Sequence, residues 1–264
     1  MKPELNSPEL ARFWERLAGA PQRVLMLDYD GTLAPFRVER DHAFPYPGVR
    51  EALDRILAGR TSRLVLVSGR WTKDLIPLLG LRELPEIWGC HGLERLFPDG
   101  RYEIAPMDER SVQALAEADH WAEAQGWGER CEAKPGSIAL HWRGLAPAEQ
   151  EALSRQFREA WAVRGPASGL ELHDFDGGLE LRAPGRNKGD AVETILAEAG
   201  PEAAAAYLGD DLTDEDAFGA IRGRGLSVLV REQWRETAAE LWLRPPGELV
   251  EWLNQWARGC AGRV

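Results

Sequence analysis

The chain has 264 residues, enough for one α/β domain with a smaller one inserted into it. Its formal net charge of −11 argues against nucleic acid, whose phosphates need a basic face, and no stretch approaches the ~20 apolar residues of a membrane span. Hydrophobic residues reach 44%, sufficient for a packed core; three separated cysteines and an opening Met-Lys-Pro-Glu-Leu-Asn without an apolar segment predict a reduced, cytoplasmic protein.

The first predicted strand, Val24–Leu27, delivers Asp28 and Asp30 to its end, followed by Gly31-Thr32. Carboxylates one residue apart repel unless a cation lies between them, and Gly31 permits a sharp turn that brings backbone N–H groups near an anion. The pattern reads as a magnesium-bound carboxylate nucleophile with an acid/base partner, or equally as a strand ending in an Asx-type turn. After a predicted helix at Val49–Ala58, Leu64–Val67 repeats the strand design and ends in Ser68-Gly69. There the hydroxyl could donate to a phosphoryl oxygen and the glycine lets backbone approach it, although Ser-Gly is also an ordinary turn.

From roughly Pro106 to Gly178 the character changes: helical stretches at Ser111–Gln125 and Pro147–Val163 flank strand-like segments with glycines at the joints. We therefore expect a first core segment over residues 1–105, an α/β cap over 106–178 and a second core segment over 179–264. Within the cap, Ser137–Arg143 alternates with period two. Ile138, Leu140 and Trp142 share one face; Ser137, Ala139, His141 and Arg143 share the other, with Lys134 just ahead of the Pro135-Gly136 turn. Such a strand is either an exposed sheet face or the wall of a polar cleft.

Past the cap, Glu180 and Arg182 alternate with Leu179 and Leu181. Lys188 precedes a predicted helix, Gly189–Ala199, where its charge opposes the macrodipole but suits an anion; a solvated surface lysine gives the same pattern. The predicted strand Ala204–Leu208 leads into Asp210, Asp211, Asp214, Glu215 and Asp216. A capping box from Thr213 to Asp216 and dipole compensation account for the last three, leaving Asp210 and Asp211 as hard oxygen ligands for Mg²⁺ at the strand tip. Leu226–Val230 is the last predicted strand, and Trp234, Trp242, Trp252 and Trp256 are expected to pack the C-terminal region. Asp174 and Asp176 echo Asp-x-Asp-Gly without an apolar run before them and are set aside. The alternation predicts an α/β fold: a doubly wound, Rossmann-like parallel sheet with an inserted α/β cap and functional residues at the carboxyl ends of strands.

In order along the chain, Asp28-Tyr29-Asp30-Gly31-Thr32, Ser68, Lys188 and Asp210-Asp211 resemble the four motifs of the haloacid dehalogenase superfamily of phosphotransferases. Closer still is the resemblance to trehalose-6-phosphate phosphatases. It is carried by Ser68-Gly69-Arg70, His91-Gly92-Leu93-Glu94, Glu180-Leu181-Arg182 ahead of Lys188, and Gly209-Asp210-Asp211-Leu212-Thr213-Asp214-Glu215. One departure is Ala183 between Arg182 and Pro184, where an Arg-Pro pair is usual. The resemblance implies a Mg²⁺-dependent phosphatase of trehalose biosynthesis that works through an aspartyl-phosphate. In that scheme Asp28 attacks phosphorus, Asp30 serves as acid and then base, and Ser68 and Lys188 hold phosphoryl oxygens. The metal ligands it implies are the carboxylates of Asp28 and Asp210 and the backbone carbonyl of Asp30, with Asp211 or Asp214 helping. Gly69, Arg70, Lys134, Ser137, His141, Arg143, Glu180 and Arg182 are the expected contacts to a small sugar phosphate, while His91 and Glu94 are expected to be positional. No nucleic-acid or membrane partner is implied, and a separate trehalose-phosphate synthase would act upstream. Phosphatases of sucrose-phosphate or glucosylglycerate-phosphate, and phosphomutases, would share the same core motifs.

Overall fold

The structure, a computed structural model, describes residues 8–175 and 177–260; the readings made on the first residues and on Asp176 fall outside these. In chain order the elements begin α1 (Pro8–Gly19), β1 (Arg23–Leu27), α2 (Val49–Gly59), β2 (Arg63–Val67), α3 (Thr72–Leu79), β3 (Glu86–Gly89), β4 (Glu94–Leu96) and β5 (Tyr102–Ile104). They continue through α4 (Glu109–Ala124), β6 (Cys131–Lys134), β7 (Ser137–His141), α5 (Pro147–Trp161), α6 (Arg164–Ala167), β8 (Glu171–Phe175) and β9 (Gly178–Arg182). Last come α7 (Lys188–Ala199), β10 (Ala204–Gly209), α8 (Glu215–Ile221), β11 (Leu226–Val230), β12 (Leu241–Leu243) and α9 (Gly247–Cys260). Two compact units result, one of Met1–Glu103 with Asn187–Val264 and one of Ile104–Arg186.

In the larger unit β1 is apolar on both faces, as an interior parallel strand must be. Val24 and Met26 join one core with Val65, Val67, Val192, Ile195 and Phe218; Leu25 and Leu27 join another with Leu53, Leu66, Leu249 and Trp256. The sheet order is β12-β11-β10-β1-β2-β3-β4-β5, parallel from β12 to β3 and antiparallel between β3 and β4. The chain leaves β1 toward β2 on one side and returns to it from the other through β10, making the carboxyl end of β1 a topological switch point. This is the doubly wound core read from the sequence.

The smaller unit holds an antiparallel sheet of order β6-β7-β9-β8. Ile138, Leu140, Leu179 and Leu181 pack on Leu115 and Ala118 of α4 and on Leu153, Phe157 and Trp161 of α5. Because β9 pairs with both β7 and β8, Glu180 and Arg182 sit inside this sheet, not past its end as a boundary at 178/179 would have it. Among the described residues no helix is long and apolar enough to cross a membrane, and no disulfide joins Cys90, Cys131 and Cys260.

Candidate active site

Strand registration assembles the first groups. Leu27 stands opposite Leu208 on one side and Leu66 on the other, so Asp28, Asp210 and Ser68 all follow adjacent strand ends. Asp28 is 3% exposed, and Asp210 and Ser68 are each 1% exposed. Between Asp28 and Asp210 the turn is tight. Gly31 has φ +84°, and a Cβ there would run into the Asp210 carboxylate, so only glycine fits. Thr32 Oγ1 donates to Asp28 Oδ2 at 3.0 Å and lies 3.4 Å from Asp210 Oδ1.

Lys188 is the first residue of α7, and the helix start is satisfied locally: Asp190 N donates to Asn187 Oδ1 (3.0 Å) and Asn187 N to Asp190 Oδ2 (2.8 Å). The lysine stem therefore runs inward instead of out to solvent. Its Nζ donates to Asp28 Oδ1 and Asp214 Oδ1, both at 2.7 Å. Asp214 closes the network: Oδ1 also accepts from the Tyr207 hydroxyl (2.5 Å), and Oδ2 accepts from Asp210 N (3.0 Å) and Asp211 N (2.9 Å). The capping box thus forms between Asp211 and Asp214 around a 3₁₀ turn, Leu212–Asp214, and α8 starts at Glu215. The box expected between Thr213 and Asp216 does not form, because Asp214 folds back under the strand tip and fixes the loop one turn earlier.

The carboxylates of Asp28, Asp210 and Asp214 offer oxygens within 4.8 Å of one another, all buried. One ammonium faces three of them. Burial pushes the Asp28 carboxyl up to about 7 against the pull of Lys188, with Asp214 and Asp30 adding to the rise. Burial, then Asp28 and Asp214, raises Asp210 well above the carboxylate range. Burial pulls the Lys188 amine down, but Asp214 and Asp28 outweigh it and hold the amine above its ordinary value. A buried site with surplus negative charge and hard oxygen donors fits a small divalent cation such as Mg²⁺. Both Asp214 oxygens are occupied by four donors, so Asp28 and Asp210 are the pair that could hold it. Asp211 stands outside the trio, its Oδ1 accepting from Leu212 N at 2.7 Å.

Asp30 points elsewhere. Its carboxylate is gripped in a bidentate pair by Arg70, Nε at 2.6 Å and Nη2 at 2.7 Å. The Ser68–Arg70 loop is held from behind by Cys90 N on Arg70 O (2.8 Å) and His91 N on Ser68 O (2.9 Å). A Cβ on Gly69 would lie 2.6 Å from the His91 ring, so the imidazole packs directly on this backbone. Fully buried Glu94 accepts from Thr72 N (2.6 Å), Thr72 Oγ1 (3.2 Å) and the Tyr102 hydroxyl (2.7 Å), tying down the start of α3.

In the smaller unit Glu180 gathers three of the expected groups: Lys134 Nζ, Ser137 Oγ and Arg182 Nη2, each at 2.7 Å. The Nε of Arg182 is buried without a hydrogen-bond partner. His141 and Arg143 are not in this cluster. The register Ser137↔Arg182 and His141↔Gly178 puts His141 at the far end of β7, where Nε2 is 3.1 Å from Glu132 Oε2, and Arg143 lies over Gly177. Sequence reasoning missed Tyr207, Arg231 and Arg235 as members of the larger unit's site; Thr32 was legible, lying four residues after Asp28.

The trehalose-phosphatase family model matches residues 26–240. Trehalose 6-phosphate phosphatase RA3 of Zea mays is 30% identical over 288 residues, covering 98% of this chain and 77% of that protein. A Mycobacterium tuberculosis protein named as an uncharacterized glycosyl hydrolase is 32% identical over 258 residues, 92% of this chain; the chain spans only 19% of that relative's length. Among solved structures, the C-terminal domain of C. albicans trehalose-6-phosphate phosphatase shares the fold, with a TM-score of 0.81 at 20% identity and 98% of each chain covered.

Removing Asp214 would leave Lys188 and two backbone N–H groups short of an acceptor. Asp214→Ala is expected to lower stability by about 3–5 kcal/mol, read from urea unfolding of the metal-free protein; a loss below about 1 kcal/mol would contradict the network.

Proposed function

The chain belongs to the trehalose-phosphatase family, and on that premise we propose that it hydrolyses trehalose 6-phosphate to trehalose and phosphate with Mg²⁺ bound. The observation that carries this reading is the buried trio Asp28, Asp210 and Asp214, with Lys188 paired to the first and the last of them. Asp28 and Asp210 would hold the ion, which when bound would offset the negative charge that otherwise keeps a phosphate dianion from a carboxylate.

Asp28 then attacks phosphorus: its oxygen bonds to P, and the bond from P to the sugar oxygen breaks. Asp30 gives a proton to the departing oxygen and later takes one from the water that hydrolyses the aspartyl-phosphate. The Arg70 guanidinium grips Asp30 at rest, so acid catalysis requires that this pair separate first. Lys188 keeps the Asp28 carboxylate oriented and, with Ser68, supplies donors to phosphoryl oxygens. Thr32 fixes the second Asp28 oxygen. Gly69 lets the loop backbone approach the phosphoryl group.

Sugar recognition is assigned to the smaller unit, as the cap of residues 106–178 extended to include β9. Lys134, Ser137, Glu180 and Arg182 offer a dense set of donors and acceptors, and the unpartnered Arg182 Nε is one that a sugar hydroxyl would satisfy. His141 and Arg143 would contribute from the other end of β7. A separate trehalose-phosphate synthase would supply the substrate, and a cytoplasmic setting accords with three cysteines that form no disulfide.

The deciding experiment is phosphate release from a panel of disaccharide and monosaccharide phosphates. Turnover of trehalose 6-phosphate is expected to lead the panel, to vanish on chelation and to return with Mg²⁺. Asp28→Asn should fall by about 10³-fold or more, some 4 kcal/mol of barrier; a variant within tenfold, about 1.4 kcal/mol, excludes Asp28 as nucleophile.

Buried Asp28 and Asp210 carboxyls, raised above their ordinary values, make protons compete with the ion. The apparent Mg²⁺ affinity is therefore expected to climb as pH rises from about 6 to about 8, with protons released on binding; calorimetric titration showing a flat profile would contradict this. Lys134→Met is expected to cut kcat/KM for trehalose 6-phosphate by about 10–100-fold, the scale of a hydrogen bond to a charged group. Hydrolysis of p-nitrophenyl phosphate should stay within about twofold, and equal losses on both substrates would remove the sugar role.

A further inference from the structure

Between β11 and β12 the chain comes back across the tip of β10 and brings Arg235 with it, its side chain 18% exposed. The guanidinium donates from Nε to the carbonyl of Asp210 (3.2 Å), from Nη2 to the carbonyl of Asp211 (2.7 Å) and from Nη1 to the carbonyl of Glu236 (2.9 Å), and it pairs with the carboxylate of Glu215. Glu215 in turn accepts from Thr237 Oγ1 and Ala238 N, both at 2.8 Å, so the arginine's own anchor is fixed. On the other side of the same backbone, Asp210 N and Asp211 N both donate to Asp214 Oδ2. The two residues are thus clamped through their donors and their acceptors at once, and only side-chain torsions remain to Asp210.

We propose that Arg235 is a positioning residue for the divalent-cation site: it fixes the Asp210–Asp211 backbone so that the Asp210 carboxylate stands beside that of Asp28 before any ion arrives. This rests on the reading that Asp28 and Asp210 hold the ion. Without the clamp, the loop would have to be ordered on binding, and that lost freedom would weaken affinity. The planar fork of arginine reaches two carbonyls and a carboxylate together, which a lysine ammonium on the same stem does not. Arg231 adds a longer contact to the same residue, its Nη1 3.5 Å from the Asp210 carbonyl and 3.9 Å from Asp210 Oδ2.

The test is calorimetric titration of Mg²⁺ into metal-stripped wild type, Arg235→Lys and Arg235→Met, with the melting temperature of each metal-free protein measured alongside. Both variants are expected to bind Mg²⁺ about 10-fold or more weakly, the usual effect of losing an outer-shell partner, at temperatures where they remain folded. Lys keeps the charge and the stem, so it carries the test if the Met variant folds poorly. Affinity within about twofold of wild type, or affinity that falls only in proportion to the unfolded fraction, overturns the role of Arg235 and leaves the phosphatase reading standing. A wild type that takes up no Mg²⁺ overturns the metal reading and this inference with it.

Discussion

One ammonium shared by two buried carboxylates, with a third alongside, is the constraint around which the larger unit is arranged. Lys188 bonds Asp28 and Asp214 at the same distance, and neither acid could be buried without it. The lysine reaches them only because Asn187 and Asp190 complete the start of α7 between themselves. Asp214 is in place because Tyr207 and two backbone N–H groups occupy its remaining lone pairs. Asp210 comes close because position 31 carries no side chain. Each device is local, and all of them serve the same imbalance of charge.

The sheet provides the frame in which such local devices meet. Parallel strands bring their carboxyl ends to one edge, and the switch at β1 opens a crevice there that two apolar cores support from either face. At the opposite ends of β2 and β3, Glu86 accepts from Arg63, Arg95 and the Trp88 indole, while Glu198 pairs with the same two arginines. The smaller unit has its own core, and its polar cluster on Glu180 is built from charged groups that satisfy one another.

Strands β1, β2, β10 and β11 were legible because each is a short apolar run, and α2, α4, α5 and α7 because their apolar residues recur at helical spacing. Helix α3 escaped notice with eight residues and Pro77 inside it, as did the three-residue strands β4, β5 and β12, too short to carry a period. Asp28, Lys188 and Asp210 could be named from strand ends and a helix start. What Asp214 does could not, since its partners Tyr207 and Lys188 are neighbours in space alone, and local sequence offers capping as the simpler account. Alternation put His141 on the face of Ser137, but only the pairing of β7 with β9 reveals that they stand at opposite ends. Arg235 left no trace at all: an arginine in a loop looks like any other until its carbonyl partners are known.

The ion pair at the heart of the larger unit joins residues 160 positions apart, and β1 takes its β10 neighbour from farther still along the chain. A ribosome making this protein therefore releases Asp28 long before anything can compensate it. Until the last third emerges, β1 has one open edge and a carboxylate with no counter-ion, whereas Ile104–Arg186, whose partners are near in sequence, can already condense. The order in which contacts become available is thus not the order of the numbering: the middle of the polypeptide can settle while the beginning waits for residues near the end.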